Sequence, residues 1–203
     1  MLNSKKIMIK SLLFLILISL SGVNLTAQTV VEARQTEERN GVVYLKGQNT
    51  PFTGTIVSWF APGKKQAETP YLNGKQNGVE TAWFPDEKVM MEITYRDGDF
   101  NGPYRFYYSE GGLEYEKIYS GGLMNGPSTH YYHDGKKEYE GYYSDCRETG
   151  TWMYYHPNGQ KMKEGEFNLG FEEGVWQFWD ENGELLKSVT YRSGEIIAER
   201  KIK

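Results

Sequence analysis

Three histidines, one cysteine and a recurring glutamate are the side chains of this 203-residue chain whose type and spacing bear on chemistry. His130 and His133 stand at odd spacing, which on a strand sends them to opposite faces. His156 falls in the position that Tyr132 holds one repeat earlier, about 10 Å away if two strands intervene. Zinc ligands must lie about 2.0–2.2 Å from one ion, so no metal site is expected. Cys146 has no partner for an internal disulfide, and the neighbouring carboxylate of Asp145 disfavours a thiolate nucleophile. The chain contains no Gly-x-Ser-x-Gly, no Walker-type loop and no His-Glu-x-x-His. The reading is of a protein without catalytic residues, metal or cofactor.

Binding chemistry is better represented. Glu68, Glu92, Glu116, Glu140 and Glu164 recur every 24 residues, broken only by Ser188. On a sheet they form a carboxylate ladder with a step of about 10 Å, either a solvated face or a groove for a basic partner. Trp59, Trp83, Tyr107, Tyr131, Tyr155 and Trp179 recur in the same register, and such rings are enriched where proteins bind. Each is followed by a residue that alternation sends to the other face: Phe60, Phe84, Tyr108, Tyr132. One member of each pair then needs cover from curled ends, a homo-oligomer or a bound protein. Stacking of sugar rings on the same aromatics is the alternative, giving an envelope glycan or peptidoglycan-binding module.

The elements that position these side chains follow from glycine. Gly54, Gly78, Gly102, Gly126, Gly150 and Gly174 are spaced by 24 residues without slip, the mark of a repeat protein. A second column (Gly63, Gly111, Gly135, Gly159, Gly183) and a third (Gly74, Gly98, Gly122, Gly170, Gly194) follow in register, with Glu87 and Cys146 as their exceptions. All three columns read as turn formers. Between them lie short segments rich in Tyr, Trp, Phe, Val and Thr, bounded by Asn-Gly, Asp-Gly or Pro-Gly, which predicts strand, turn, strand. The expected fold is all-β: an elongated single-layer antiparallel β-meander built from 24-residue hairpin repeats. A half unit at 42–53 precedes six units starting at 54, 78, 102, 126, 150 and 174, so the array spans 42–197, with an N-terminal segment 28–41 and a tail 198–203. Tyr71, Tyr95, Tyr119, Tyr143, Phe167 and Tyr191 form a second aromatic column. Together with the first column and with Tyr104, Phe106, Tyr154 and Phe178, they are expected to build one apolar stripe in place of an aliphatic core, with Tyr131 buried near its centre.

Residues 1–27 read separately. Lys5, Lys6 and Lys10 precede the apolar run Leu12–Leu20 and then small or polar residues to Ala27, the pattern of a signal peptide; the run is short of the roughly 20 residues of a membrane-spanning helix. An exported protein of the periplasm, cell envelope or exterior is expected. Cleavage leaves 20 basic against 27 acidic residues, a net charge near -7. That balance argues against nucleic acid and against association of the mature chain with anionic membranes.

The stretch Tyr44 to Gly54, the segment Gly150 to Gly159 (Gly-Thr-Trp-Met-Tyr-Tyr-His-Pro-Asn-Gly) and the segment Tyr71 to Gly78 (Tyr-Leu-Asn-Gly-Lys-Gln-Asn-Gly) resemble the bacterial variant of the MORN repeat, as found in YwqK-type antitoxin proteins. The resemblance covers about residues 42–197. It implies a hairpin per repeat and a non-catalytic role in scaffolding or protein binding, with a toxin or an envelope protein as partner.

Overall fold

The structure, a computed structural model, describes residues 29–202; the expected signal peptide lies outside the described residues. The N-terminal segment supplies β1 (Val30–Glu32), a 3-10 turn (Ala33–Gln35) and β2 (Thr36–Arg39), followed by β3 (Val42–Leu45). Next come β4 (Gly54–Ala61), β5 (Lys64–Leu72), β6 (Lys75–Gln76), β7 (Gly78–Trp83), β8 (Val89–Arg96), β9 (Asp99–Tyr107) and β10 (Leu113–Ser120). The remainder are β11 (Leu123–Tyr131), β12 (Lys137–Ser144), β13 (Arg147–Tyr155), β14 (Lys161–Asn168), β15 (Phe171–Trp179), β16 (Leu185–Arg192) and β17 (Glu195–Lys201). From β4 onward each main strand pairs with the next in an antiparallel meander, which together with β1 makes one open 15-stranded sheet. The tail from 198 belongs to the sheet, as the end of β17.

The N-terminal edge departs from a pure meander. β1 adds to β4 in parallel, Val31 opposite Ile56, so the sheet is mixed. Val42–Leu45, expected to begin the array, instead pairs with Thr36–Arg39 in a separate two-stranded sheet. The spacing from Tyr44 to Gly54 exceeds that from Tyr71 to Gly78 by three residues, an odd shift that would exchange the faces of a paired strand. Phe52, 4% exposed, closes this end, with its ring 6.2 Å from that of Tyr71 and its carbonyl accepting the Gly74 N–H at 2.6 Å.

The connections confirm two of the three glycine columns as turns. At one edge Asn73-Gly74, Asp97-Gly98, Leu169-Gly170 and Ser193-Gly194 have both residues at positive φ, as tight hairpins require. Asp145 (φ 48°) and Cys146 (φ 63°) keep that geometry, and the Cys146 N–H bonds the Met124 carbonyl at 2.9 Å as the glycines of the column bond theirs. At the other edge Glu87 (φ 71°) takes the conformation of the glycines it replaces. The leading glycines differ from expectation: Gly102, Gly126, Gly150 and Gly174 lie inside strands, at positive φ. A Cβ on Gly102 or Gly126 would come within 3.0 Å of Thr94 or Ile118, so these positions admit a close crossing and an irregular backbone.

Alternation along the strands separates two faces. On the packed face the register runs Tyr115, His130, Tyr139, Tyr154, Lys163, Phe178 across six strands. Ring contacts at 5.1–6.3 Å run without a break from Tyr95 through Phe100, Tyr104, Tyr115, His130, Tyr139, Trp152 and Tyr154 to Trp176 and Tyr191. Trp152 and Trp176 are each 2% exposed. Their indoles lie against Gly141 and Gly165, where a Cβ would stand 2.2 Å from the ring. Each indole N–H reaches a strand carbonyl, Tyr142 at 3.3 Å and Glu166 at 3.2 Å, so the buried donors are satisfied. The apolar stripe is therefore present and contains the Tyr71-to-Tyr191 column. It does not contain the Trp59-to-Trp179 column, because those rings stand at odd spacing from Trp152 and Trp176 and project from the opposite, open face. Tyr131 is accordingly half-exposed rather than buried.

Candidate functional site

Both expected columns lie on the open face, side by side. One row passes through Val57, Glu68, Thr81, Glu92, Arg105, Glu116, Thr129, Glu140, Met153, Glu164, Gln177 and Ser188, each directly opposite the next. The other holds Trp59, Trp83, Tyr107, Tyr131, Tyr155 and Trp179, paired within their hairpins with Lys65, Val89, Leu113, Lys137, Lys161 and Leu185. A bulge at the end of each hairpin brings the second strand of the unit round so that residues three apart reach each other. Lys65, Lys137 and Lys161 thereby meet Glu68, Glu140 and Glu164 at 2.6, 2.6 and 2.5 Å.

Arg105 serves the two remaining carboxylates, with Nε 2.5 Å from Glu116 and a terminal nitrogen 3.7 Å from Glu92. Every member of the glutamate column therefore has a cation beside it on the same face. The rings are drawn in as well: the Tyr107 hydroxyl donates to Glu92 at 2.9 Å and the Tyr155 hydroxyl to Glu140 at 2.6 Å. Partial burial works against ionisation of Glu140, but hydrogen bonds from Lys137 and Tyr155 prevail and hold it below the usual carboxylate range. Burial, then the Glu140 contact, pushes Tyr155 up to about 12. A ladder neutralised in this way presents little net charge to a basic partner.

The residues following the ring column have a role that alternation alone did not reveal. The Tyr108 and Tyr132 hydroxyls donate to the Tyr131 and Tyr155 carbonyls at 2.5 and 2.6 Å. His156 makes the same reach, its Nε2 3.0 Å from the Trp179 carbonyl. These three side chains tie together the successive hairpins from β9 to β16 and need no partner to cover them, whereas Phe60 has no hydroxyl to make the bond and is 44% exposed. His130 is part of the packed stripe, and His133 stacks on Tyr108 at 3.8 Å. Among the described residues no group of three or more His, Cys, Asp or Glu is placed to hold a metal ion.

The repeat step, the hairpin unit and the ring columns of the C-terminal half agree with one known module. Residues 124–145, 148–169 and 172–193 match the MORN repeat variant. The three matched MORN repeats begin 24 residues apart, each starting two residues before a leading glycine, so they coincide with the hairpins from β11 to β16. MORN repeats are in general non-catalytic modules associated with protein or membrane binding. A comparison with curated proteins gives no match. No helix among the described residues is long and apolar enough to cross a membrane.

Proposed function

We propose that this chain is an exported, non-catalytic MORN-repeat array that binds a protein partner along its open face. The observation that carries the reading is the division between the faces: the rings of one are consumed by packing, while the other keeps a full column of Trp and Tyr. The same face also leaves Tyr142, Phe171 and Val175 55–58% exposed. Export rests on the pattern of residues 1–27, and it sets the meeting place in the envelope or outside the cell. An antitoxin-like role would then be the neutralisation of a protein encountered there.

Affinity capture from envelope extract tests this reading. The wild-type chain is expected to retain a specific protein that a Trp83→Ala/Tyr131→Ala variant of unchanged melting temperature does not. Recovery of no specific protein, together with strictly monomeric sedimentation, would contradict it.

A further inference from the structure

The N-terminal end of the open face differs from the rest of the ring column. Trp59 is 39% exposed, and it forms a wall of three adjoining hollows of about 430, 450 and 490 Å³. One is completed by Val57, Lys65, Glu68, Pro70 and Val79. The second runs between Trp59 and Trp83 over Lys65, with Glu87 at its rim, and the third extends past Pro62 and Gly63 to Glu32 and Arg34. Elsewhere in the column the hydroxyls of Tyr107 and Tyr155 are held by carboxylates of the chain itself.

We propose that Trp59 and Trp83 form a subsite for an uncharged oligosaccharide lying across the strands. Three features define the occupant. It must offer flat apolar faces, because two indoles project from one sheet face with a step of two strands, about 10 Å. It must carry many hydroxyl or amide groups around its rim, because Lys65, Glu68 and Glu87 line the hollows with donors and acceptors. It must also be neutral, because the Lys65 ammonium and the Glu68 carboxylate already satisfy each other at 2.6 Å, and a charged partner would have to break that pair. A β-1,4-linked sugar chain meets all three conditions. Its successive sugars turn over, so like faces recur every second residue, and that disaccharide step matches the two-strand step of the indoles. The Lys65 ammonium, 5.4 Å from the centre of the Trp83 ring, keeps its Glu68 partner and has N–H donors to spare for ring substituents. The subsite overlaps the face proposed to bind protein at Trp59 and Trp83, but it is tested with purified sugars and no protein partner.

Titration of the full chain with cellohexaose, hexa-N-acetylchitohexaose and mannohexaose, followed by tryptophan fluorescence and calorimetry, tests the proposal. At least one is expected to bind saturably, with affinity falling roughly tenfold or more in Trp59→Ala and in Trp83→Ala. Binding is expected to be unchanged in Trp179→Ala, and all three variants are to be checked for wild-type melting. Absence of saturable binding to all three sugars would overturn the proposal, as would a loss in Trp179→Ala equal to that in Trp59→Ala. Because protein capture is read separately, failure here leaves that reading standing, and failure of capture leaves this one.

Discussion

Ser128 occupies the position in its repeat that Tyr104, Trp152 and Trp176 occupy in theirs. It is 1% exposed and its hydroxyl has no hydrogen-bond partner. A buried hydroxyl left unpaired carries the desolvation penalty without the compensating bond, so Ser128→Ala is expected to raise stability by about 1 kcal/mol. A chemical denaturation midpoint at or below wild type would contradict this. Cys146 presents a backbone case. It holds φ 63° where its column has glycine, and a Cβ in that region is penalised. Relief of the penalty exceeds the unfolded-state entropy that glycine adds, so Cys146→Gly is expected to stabilise by a few tenths to about 1 kcal/mol. Thermal melts under reducing conditions read this directly, and a lower melting temperature for the variant would show that the turn gains nothing from glycine.

At the scale of the hairpin, the indole-on-glycine contact is the unit of packing. Trp176 lies across Gly165, and any Cβ there meets the ring at 2.2 Å. Neither the indole, wedged between the rings of Phe167 and Tyr191, nor the paired strand can retreat. Gly165→Ala is expected to cost about 1–3 kcal/mol by overpacking, whereas Gly174→Ala, with open space beside it, pays only for its φ of 72°. Equal unfolding free energies for Gly165→Ala and wild type would contradict the contact. The hairpins themselves were legible, since glycine pairs recurring every 24 residues leave few alternatives to strand and turn. The packed stripe was only half legible. Gly141 and Gly165 fall in none of the three regular glycine columns, and only their place beneath Trp152 and Trp176 explains them. The open face was visible in Trp59 to Trp179 and in the glutamates. The placing of that ring column in the packed stripe failed because a bulge in each hairpin changes which residues of its two strands are neighbours, and period-two alternation cannot register a bulge. The extra strand β1 escaped notice because three residues carry no periodicity.

For the whole molecule, stability is distributed along a line. Strand contacts run between neighbours in the sheet, so unit and interface terms add approximately, and the ring stripe is their shared medium. Burial first, and nearby carboxylates second, push Tyr95 and Tyr155 up to about 12, and burial followed by the charge of Glu148 does the same for Tyr154. Their folded values lie above the unfolded value of about 10, so the stabilisation is full below that pH and is lost as pH rises through about 12. Melting temperature is therefore expected to fall steeply between about pH 10 and 12 as phenolate absorbance rises; a flat melting profile there would contradict burial of the rings.

The central claim is that one face of the array holds the fold while the other is free to bind, and β15 allows a comparison within one strand. Trp176 and Trp179 are the same residue type, three positions apart, on opposite faces. The measurement is the unfolding free energy of Trp176→Ala and of Trp179→Ala by denaturant titration. The account predicts a loss of about 3–5 kcal/mol for Trp176→Ala, the range for truncating a buried aromatic, and no more than about 1 kcal/mol for Trp179→Ala, nearer to a surface change. Equal losses would mean that both faces are core, and would contradict the division on which the proposed function rests.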